Sequence, residues 1–188
     1  MKVKKGSWTV INTKKVYENP WISVREDKVI RPDGKRGIFG VVTMKPGVSI
    51  LPVDKDGNVF LTKEYHYGIE KVTVEAVSGG IDNNETKEEA AKRELREEVG
   101  LTSNRWTYLG LVDPFTTAVV SPNYMFLAEN LVESNIKPEE TEKIKVIKIP
   151  FKKAFEWATN GIITHSASVV LILKTATLLK KQKVRPYK

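Results

Sequence analysis

The stretch GGIDNNETKEEAAKRELREEVGL, from Gly79 to Leu101, predicts one helix that gathers negative charge on one of its sides. A helix turns by about 100° per residue, so Glu94, Glu97 and Glu98 span little more than a quarter of its circumference. Their carboxylates therefore converge in space. This concentration of charge predicts a bound cation.

Both ends of the predicted helix are marked. Thr86 and Glu89 have the spacing of a capping box, in which each side chain accepts the backbone N–H of the other residue. Gly100 supplies the left-handed residue that commonly ends a helix. Between these ends an apolar stripe recurs every fourth residue, at Ala91, Leu95 and Val99. One side of the helix is therefore expected to pack, and the neighbouring side to present oxygen.

A solvated helix surface is the alternative interpretation of these charges. Pairs such as Glu88 with Lys92 would stabilise an exposed helix by a few tenths of a kcal/mol, roughly 0.2–0.5 each. These pairs do not involve Glu94 and Glu98, which form a like-charge i,i+4 pair with Glu97 beside them. Their repulsion destabilises the helix unless a bound cation offsets it. Mg²⁺ takes oxygen ligands and keeps some of its waters for a phosphate-bearing substrate.

The same residues resemble the signature of the Nudix hydrolases. That signature is Gly, five residues, Glu, seven residues, and then Arg-Glu-apolar-x-Glu-Glu-x-Gly-apolar. The chain carries it without a gap, at Gly79, Glu85, Arg93, Glu94, Leu95, Glu97, Glu98, Gly100 and Leu101. So many specified positions at fixed spacing make the match far more specific than a lone glycine motif.

The resemblance implies a fold and a reaction. Nudix hydrolases are α/β proteins, with an α/β/α sandwich around a mixed β-sheet, and they hydrolyse a nucleoside diphosphate linked to a further group. By resemblance, Arg93 would brace the catalytic carboxylates of Glu97 and Glu98. Mg²⁺, with Mn²⁺ as the alternative ion, would be bound by the backbone carbonyl of Ser78 and by Glu94, Glu97 and Glu98. Such cations neutralise phosphate oxygens and acidify the attacking water.

The resemblance extends to a subgroup, the ADP-ribose pyrophosphatases and related nucleotide-sugar hydrolases. The segment from Glu75 to Gly79 occupies the place of their Glu-Leu-Pro-Ala-Gly segment, and the similarity runs from about Trp21 to Leu179. A small nucleotide-diphosphate substrate, ADP-ribose or another nucleotide sugar, is therefore expected.

A second acidic segment lies downstream, at residues 137–143. In the resembling enzymes a mobile acidic loop closes over the substrate and supplies a Glu-x-Glu pair. Carried over to this chain, Glu140 is the predicted general base and Glu142 a further metal ligand, with Glu139 as the competing base. Taken without the family, the segment is simply a polar loop.

Two departures from the subgroup bear on the substrate. Phe115 lies in the segment Asp113–Ala118, where many ADP-ribose enzymes have Ser-Pro-Gly, and His66 stands where they commonly have Arg. An imidazole with an ordinary pKa carries little charge at pH 7, so it would hold a phosphate less strongly. His66 and Phe115 are candidate substrate contacts, and His66 is equally interpretable as a surface histidine.

Aromatic residues near the N-terminus are the other expected source of specificity. Trp21 and Phe39 could stack a base, as this region does across the dimer in the resembling enzymes, or they could be core or interface anchors. The N-terminal region has too little sequence to bury both of its faces alone. A homodimer is therefore expected.

Strand and helix patterns divide the chain into an N-terminal antiparallel β appendage at 1–45, a Nudix domain at 46–182 and a basic tail at 183–188. Strands of the appendage are predicted at Ser7–Tyr17, Ile22–Ile30 and Gly37–Thr43. Beyond it, strands are predicted at Val48–Val53, Val59–Tyr65, Lys71–Val77, Trp106–Val112 and Asn123–Val132, and closing helices at Phe151–Thr159 and Ser166–Lys181.

The composition is ordinary for a globular protein and consistent with one compact enzyme. The chain has 188 residues, of which 40% are hydrophobic and 29% charged, and it contains no cysteine, so disulfide and thiol chemistry are excluded. Neither a signal peptide nor a membrane-spanning run is recognised, so a cytoplasmic location without a membrane partner is expected. The net charge of +8 comes from scattered lysines without interleaved aromatics, which favours an anionic small substrate over nucleic acid.

Two other functions share these features. A nucleoside triphosphate pyrophosphohydrolase, which sanitises the nucleotide pool, would carry the same motif but release pyrophosphate. A catalytically inert Nudix-fold binding module would keep the fold and lose metal ligands, whereas this chain has the full set of glutamates.

Overall fold

The computed structural model describes residues 2–134 and 144–184, with side chains to residue 180. Its residues form two compact units. The first contains the residues up to Pro46 together with Asp113–Pro122, and the second contains Gly47–Val112 and the described residues from Asn123 onward. Strands and helices are numbered below in chain order.

The first unit is a five-stranded sheet with the order β1-β2-β3-β4-β9. Its strands are β1 Val3–Lys5, β2 Trp8–Glu18, β3 Ile22–Ile30, β4 Arg36–Met44 and β9 Val119–Val120. The pairs are antiparallel except for β4 with β9, which is parallel. The predicted antiparallel N-terminal sheet is therefore confirmed, with two short strands that the sequence patterns did not indicate.

The second unit is built on a six-stranded mixed sheet with the order β11-β6-β7-β5-β10-β8. Its strands are β5 Gly47–Pro52, β6 Asn58–His66, β7 Lys71–Gly80, β8 Leu101–Val112, β10 Asn123–Glu133 and β11 Lys145–Pro150. β5 and β10 are parallel, and the other pairs are antiparallel. A single 3₁₀ turn at Tyr67–Ile69 joins β6 to β7.

Three helices belong to this unit: α1 Lys87–Val99, α2 Phe151–Thr159 and α3 Ser166–Val184. Adjacent residues of β7 enter different cores, because Val77 packs with Leu95 of α1 while Ala76 packs with Leu171 of α3. Successive side chains of a strand point to opposite faces of the sheet. The helices therefore cover both faces, and the predicted α/β/α architecture is confirmed.

Several boundaries differ from the sequence patterns. β8 begins at Leu101 rather than at Trp106, because its polar first residues pair with β10 as far as Glu133. β11 was not predicted, since its alternating lysines resemble a solvated segment, but it pairs with β6 along its whole length. Asp113–Pro122 lie within the range predicted for the Nudix domain, yet in the structure they belong to the first unit.

None of the helices in residues 2–134 and 144–184 combines the length and the hydrophobicity that a membrane span requires.

Candidate active site

The acidic helix α1 begins and ends where the sequence predicts. The N–H of Glu89 donates to the hydroxyl of Thr86 at 3.2 Å, and the N–H of Thr86 donates to the Glu89 carboxylate at 2.8 Å. Gly100 has a φ of 72°, the left-handed conformation of a helix-ending glycine. Because β7 ends at Gly80, a short loop of six residues carries the chain from the sheet to the helix.

Arg93 is the centre of the acidic group. Its Nε and Nη2 donate to the two carboxylate oxygens of Glu85, at 2.8 and 3.0 Å. Its Nη1 donates to Glu94 at 2.6 Å and to Glu97 at 3.1 Å, and its Nη2 also donates to the carbonyl of Gly80 at 2.8 Å. One guanidinium therefore joins three glutamates and the end of β7.

The protonation equilibria of this group differ from residue to residue. Glu94 is only 8% exposed, and its burial raises the pKa of its carboxyl, although Arg93 opposes that rise. The hydrogen bonds from Arg93 hold the pKa of Glu85 below its ordinary value. The pKa of Arg93 is raised, chiefly by its hydrogen bonds to Glu85. A further cation beside Glu94 would favour the ionised form of that carboxyl.

Glu98 is held separately, by the backbone of β7. The N–H of Ser78 donates to Glu98 Oε2 at 3.3 Å. The hydroxyl of Ser78 donates to the carbonyl of Ala76 at 2.8 Å and lies 3.1 Å from the hydroxyl of Ser49 on β5. The strand that would supply the backbone ligand is thus bonded to the helix that carries the carboxylates.

Gly79 makes close contact with α1 possible. A Cβ built on Gly79 would overlap the carboxyl group of Glu94. The buried carboxylate is therefore seated against a backbone position that has no room for a side chain, which explains why the motif begins with glycine.

The residues present fit a hard divalent cation by their chemistry, because Ser78, Glu94, Glu97 and Glu98 offer only oxygen donors. As these side chains lie, however, no three acidic, histidine or cysteine groups of residues 2–134 and 144–184 are gathered closely enough to hold a metal ion. Glu94 and Glu97 are both turned toward Nη1 of Arg93.

Of the other predicted site residues, three belong to the first unit and one to the second. Trp21 is 70% exposed in the first unit, where Phe39 packs edge-on against Trp8 at 5.4 Å between ring centroids and Phe115 is exposed. His66 contacts Glu75, with 2.9 Å between Nε2 and Oε1. The acidic residues Glu139, Glu140 and Glu142 lie outside the described residues. The roles of all these residues stay predictions.

Sequence patterns missed two partners of the site. The Gly80 carbonyl accepts from Arg93, and His165 contacts Glu75 on β7 at 3.2 Å. A motif of side chains gives no signal for a backbone acceptor. The histidine and the glutamate lie ninety positions apart in the sequence.

Comparison with known proteins bears on this geometry. Residues 43–166 match the family described as the NUDIX domain, and residues 8–42 match the nucleoside diphosphate sugar hydrolase N-terminal domain. The chain belongs to the Nudix family. The predicted family and enzyme class, a Nudix hydrolase, are confirmed, and Nudix hydrolases generally need divalent cations.

Relatives of this Nudix protein align along nearly the whole chain. The ADP-ribose pyrophosphatase of Bacillus subtilis (strain 168) is 26% identical over 183 residues, which cover 92% of this chain and 96% of the relative. The ADP compounds hydrolase NudE of Escherichia coli (strain K12) is 24% identical over 176 residues, covering 93% and 94%. A crystal structure of an ADP compounds hydrolase superposes with a TM-score of 0.80 at 24% identity, covering 93% of this chain and 95% of that one, which confirms the fold.

We expect Gly79→Ala to lower the free energy of unfolding by about 1–3 kcal/mol, because the new methyl group must displace Glu94 or shift β7. Chemical denaturation followed by circular dichroism measures this change. Gly40→Ala is the matched control, since a Cβ there meets nothing within 4 Å and should change the stability by less than about 1 kcal/mol. Equal effects of the two substitutions would contradict the proposed contact.

Proposed function

We propose that this Nudix hydrolase cleaves the diphosphate linkage of ADP-ribose or another nucleotide sugar, releasing a nucleoside monophosphate and a sugar phosphate, with Mg²⁺ or Mn²⁺ as its cofactor. The observation that carries the proposal is the match of residues 8–42 to the N-terminal domain of nucleoside diphosphate sugar hydrolases. Relatives named for ADP-ribose and ADP compounds, aligned almost from end to end, support it further.

The residues of α1 have separate parts in this proposal. Glu94, Glu97 and Glu98, with the carbonyl of Ser78, would hold the cation. When bound, a divalent cation supplies positive charge to the diphosphate oxygens and acidifies the attacking water. Arg93 orients the carboxylates, because its five donors form a rigid fork that also anchors Gly80. The N–H of Ser78 keeps Glu98 against the strand.

The general base of the proposed reaction is Glu140, with Glu139 as the competing base and Glu142 as a further metal ligand. The proposal for these three rests on the resemblance to the subgroup alone. Trp21, Phe39, His66 and Phe115 are proposed as substrate contacts on the same ground.

The proposed assembly is a homodimer in the cytoplasm. Large apolar side chains are exposed on the first unit, among them Trp21 at 70% and Ile38 at 68%, and an interface would bury such residues. The absence of cysteine suits a reducing compartment. Sedimentation velocity tests the dimer directly, since a monomer at micromolar concentration would contradict it.

A triphosphate pyrophosphohydrolase is the second candidate. One specific similarity favours it: an RNA pyrophosphohydrolase of Aliivibrio fischeri (strain MJ11) is 43% identical to this chain. That similarity extends over only 60 residues, about a third of either chain, and leaves most of the fold unaccounted for. The relatives that align along the whole chain therefore weigh more heavily.

The product distinguishes the two activities. The assay contains Mg²⁺ or Mn²⁺ and tests ADP-ribose, ADP-glucose, GDP-mannose, diadenosine polyphosphates, NADH and nucleoside triphosphates. We expect the enzyme to cleave a nucleotide sugar to a nucleoside monophosphate and a sugar phosphate. Release of pyrophosphate from a triphosphate as the fastest reaction would favour the second candidate. No hydrolysis of any compound would favour a binding module.

Glu98→Gln is expected to lower turnover by several orders of magnitude, roughly 10³-fold or more, because an amide cannot supply the anionic oxygen that the cation requires. Steady-state kinetics at saturating metal measures the loss, and circular dichroism checks that the fold is kept. Glu88→Gln is the matched control, because Glu88 lies on the same helix with its side chain 54% exposed. Near-normal activity of Glu98→Gln would remove Glu98 from the ligand set.

Glu140→Gln is expected to lower turnover while leaving the metal concentration for half-maximal rate nearly unchanged, since a base acts on water and not on the cation. Glu139→Gln, tested beside it, shows which of the two neighbours is the base. An unchanged rate in Glu140→Gln would exclude that residue.

A further inference from the structure

Both histidines of the chain contact the same carboxylate. His66 Nε2 lies 2.9 Å from Glu75 Oε1, and His165 Nδ1 lies 3.2 Å from Glu75 Oε2. The hydroxyl of Thr73 donates to Glu75 Oε1 at 2.6 Å. His66 ends β6, Glu75 belongs to β7 and His165 immediately precedes α3, so the cluster joins three separate segments of the second unit.

Glu75 and His165 are largely shielded from water, whereas the His66 side chain is 36% exposed. The Glu75 side chain is 15% exposed and that of His165 is 28% exposed. Burial lowers the pKa of His165, Glu75 opposes that shift by raising the pKa, and His66 lowers it further. Ionisation of His165 therefore opposes folding, and stability is lost as the pH falls from about 6.5 through the lowered value.

Two further charged residues face this cluster across the β6–β7 hairpin. Glu64 pairs with Thr73, and Lys71 pairs with His66, so all of them lie on the side of the hairpin that carries Glu75. One carboxylate of the cluster thus contacts two imidazoles. Glu64 and Lys71 lie on the same side of the hairpin.

Ser168 connects the cluster to β7. Its side chain is completely buried, and its hydroxyl oxygen lies 2.8 Å from His165 Nδ1. The same oxygen accepts the N–H of Ala76 at 2.8 Å. Ala76 is the residue at which β7 changes partner, because Ala76 still pairs with β6 whereas Val77 pairs with β5. Ser168 supplies the acceptor at this junction.

The hydrogen bonds continue from Ala76 to the acidic helix. The Ala76 carbonyl accepts the hydroxyl of Ser78, and the N–H of Ser78 donates to Glu98. An unbroken series of contacts therefore runs from His66 through Glu75, His165, Ser168, Ala76 and Ser78 to Glu98.

The protons on His165 determine which bonds this series can make. A proton on Nδ1 can be donated to Glu75 or to the hydroxyl oxygen of Ser168. An Nδ1 without a proton would accept a hydrogen bond from the Ser168 hydroxyl. Its lone pair would then face the Glu75 carboxylate oxygen, which it would repel. A change of Nδ1 between donor and acceptor therefore reverses the hydrogen bond between His165 and Ser168, whose oxygen also accepts the N–H of Ala76.

We propose that His66, Glu75 and His165 form a pH-sensitive positioning group, which acts through Ser168 and Ala76 on Ser78 and Glu98. None of the three belongs to the proposed ligand set of the cation. His66, proposed above as a substrate contact, acts here through Glu75 on His165, and the group acts on Glu98 through β7. The kinetic part of this inference rests on the proposed function, while the coupling between the histidines and Glu75 does not.

The coupling is tested without any reaction, by following the two histidine signals of the full chain, free of metal, by NMR over a range of pH. His66→Gln and His165→Gln assign the signals. We expect His66→Gln to raise the pKa of His165 and Glu75→Gln to lower it, each by at least about half a unit. Glu156→Gln, at an exposed position of α2, is the control and should move neither signal. Histidines that titrate independently of Glu75 would overturn the proposal.

The kinetic consequence is tested on the acid side of the pH–rate profile. The acid limb should move to higher pH in His66→Gln and to lower pH in Glu75→Gln, following His165. A merely structural role would lower the rates without moving the limb in opposite directions. A limb that stays in place, or moves the same way in both variants, would overturn the positioning role.

Ser168→Ala tests the link to the cation. We expect the Mg²⁺ concentration for half-maximal rate to rise about tenfold, as for outer-shell partners of metal ligands. Ser166→Ala, an exposed position in the same turn of α3, should leave it unchanged. Equal values for the two variants would overturn the link. If the wild type hydrolyses nothing, the proposed function fails, while the NMR titration still decides the coupling.

Discussion

The guanidinium of Arg93 allows three acidic residues, Glu85, Glu94 and Glu97, to share one short loop and one side of one helix. Carboxylates placed this close repel one another, and burial of Glu94 adds a desolvation cost. Arg93 offsets both the repulsion and the desolvation cost, because its N–H groups donate to Glu85, Glu94 and Glu97. It also donates to the Gly80 carbonyl. The apolar stripe of α1 packs the helix on the sheet, and Arg93 fixes the loop between them.

β7 is the strand that links the two cores of the second unit. Val77 packs toward α1 and Ala76 toward α3, so neighbouring residues of one strand belong to the two cores. The pairing of the strand passes from β6 to β5 at the same point. Ser78 and Gly79 follow directly, one bonded to Glu98 and the other pressed against Glu94. The strand that contacts the acidic helix is therefore packed on both of its faces.

Local patterns predicted the local features well. The capping box, Gly100 and the apolar stripe of α1 depend on residues a few positions apart, and the structure has each of them. Pairings between distant segments were missed, because β9 and β11 are short and carry little pattern of their own. The contact of Glu75 with His165 was missed as well, because only the folded chain brings residues ninety positions apart together.

The two edges of the Arg93 guanidinium differ in what they hold. Nε and Nη2 bind both oxygens of Glu85, and Nη2 also binds the carbonyl of Gly80, which fixes the loop. Nη1 alone binds Glu94 and Glu97. Those two carboxylates can therefore turn away from Nη1 without releasing Arg93, because its bidentate pair and its backbone bond remain. Glu94 and Glu97 are also two of the proposed ligands of the cation. If they leave Arg93 to bind it, the bonds of Arg93 to Glu85 and Gly80 still hold the loop in place.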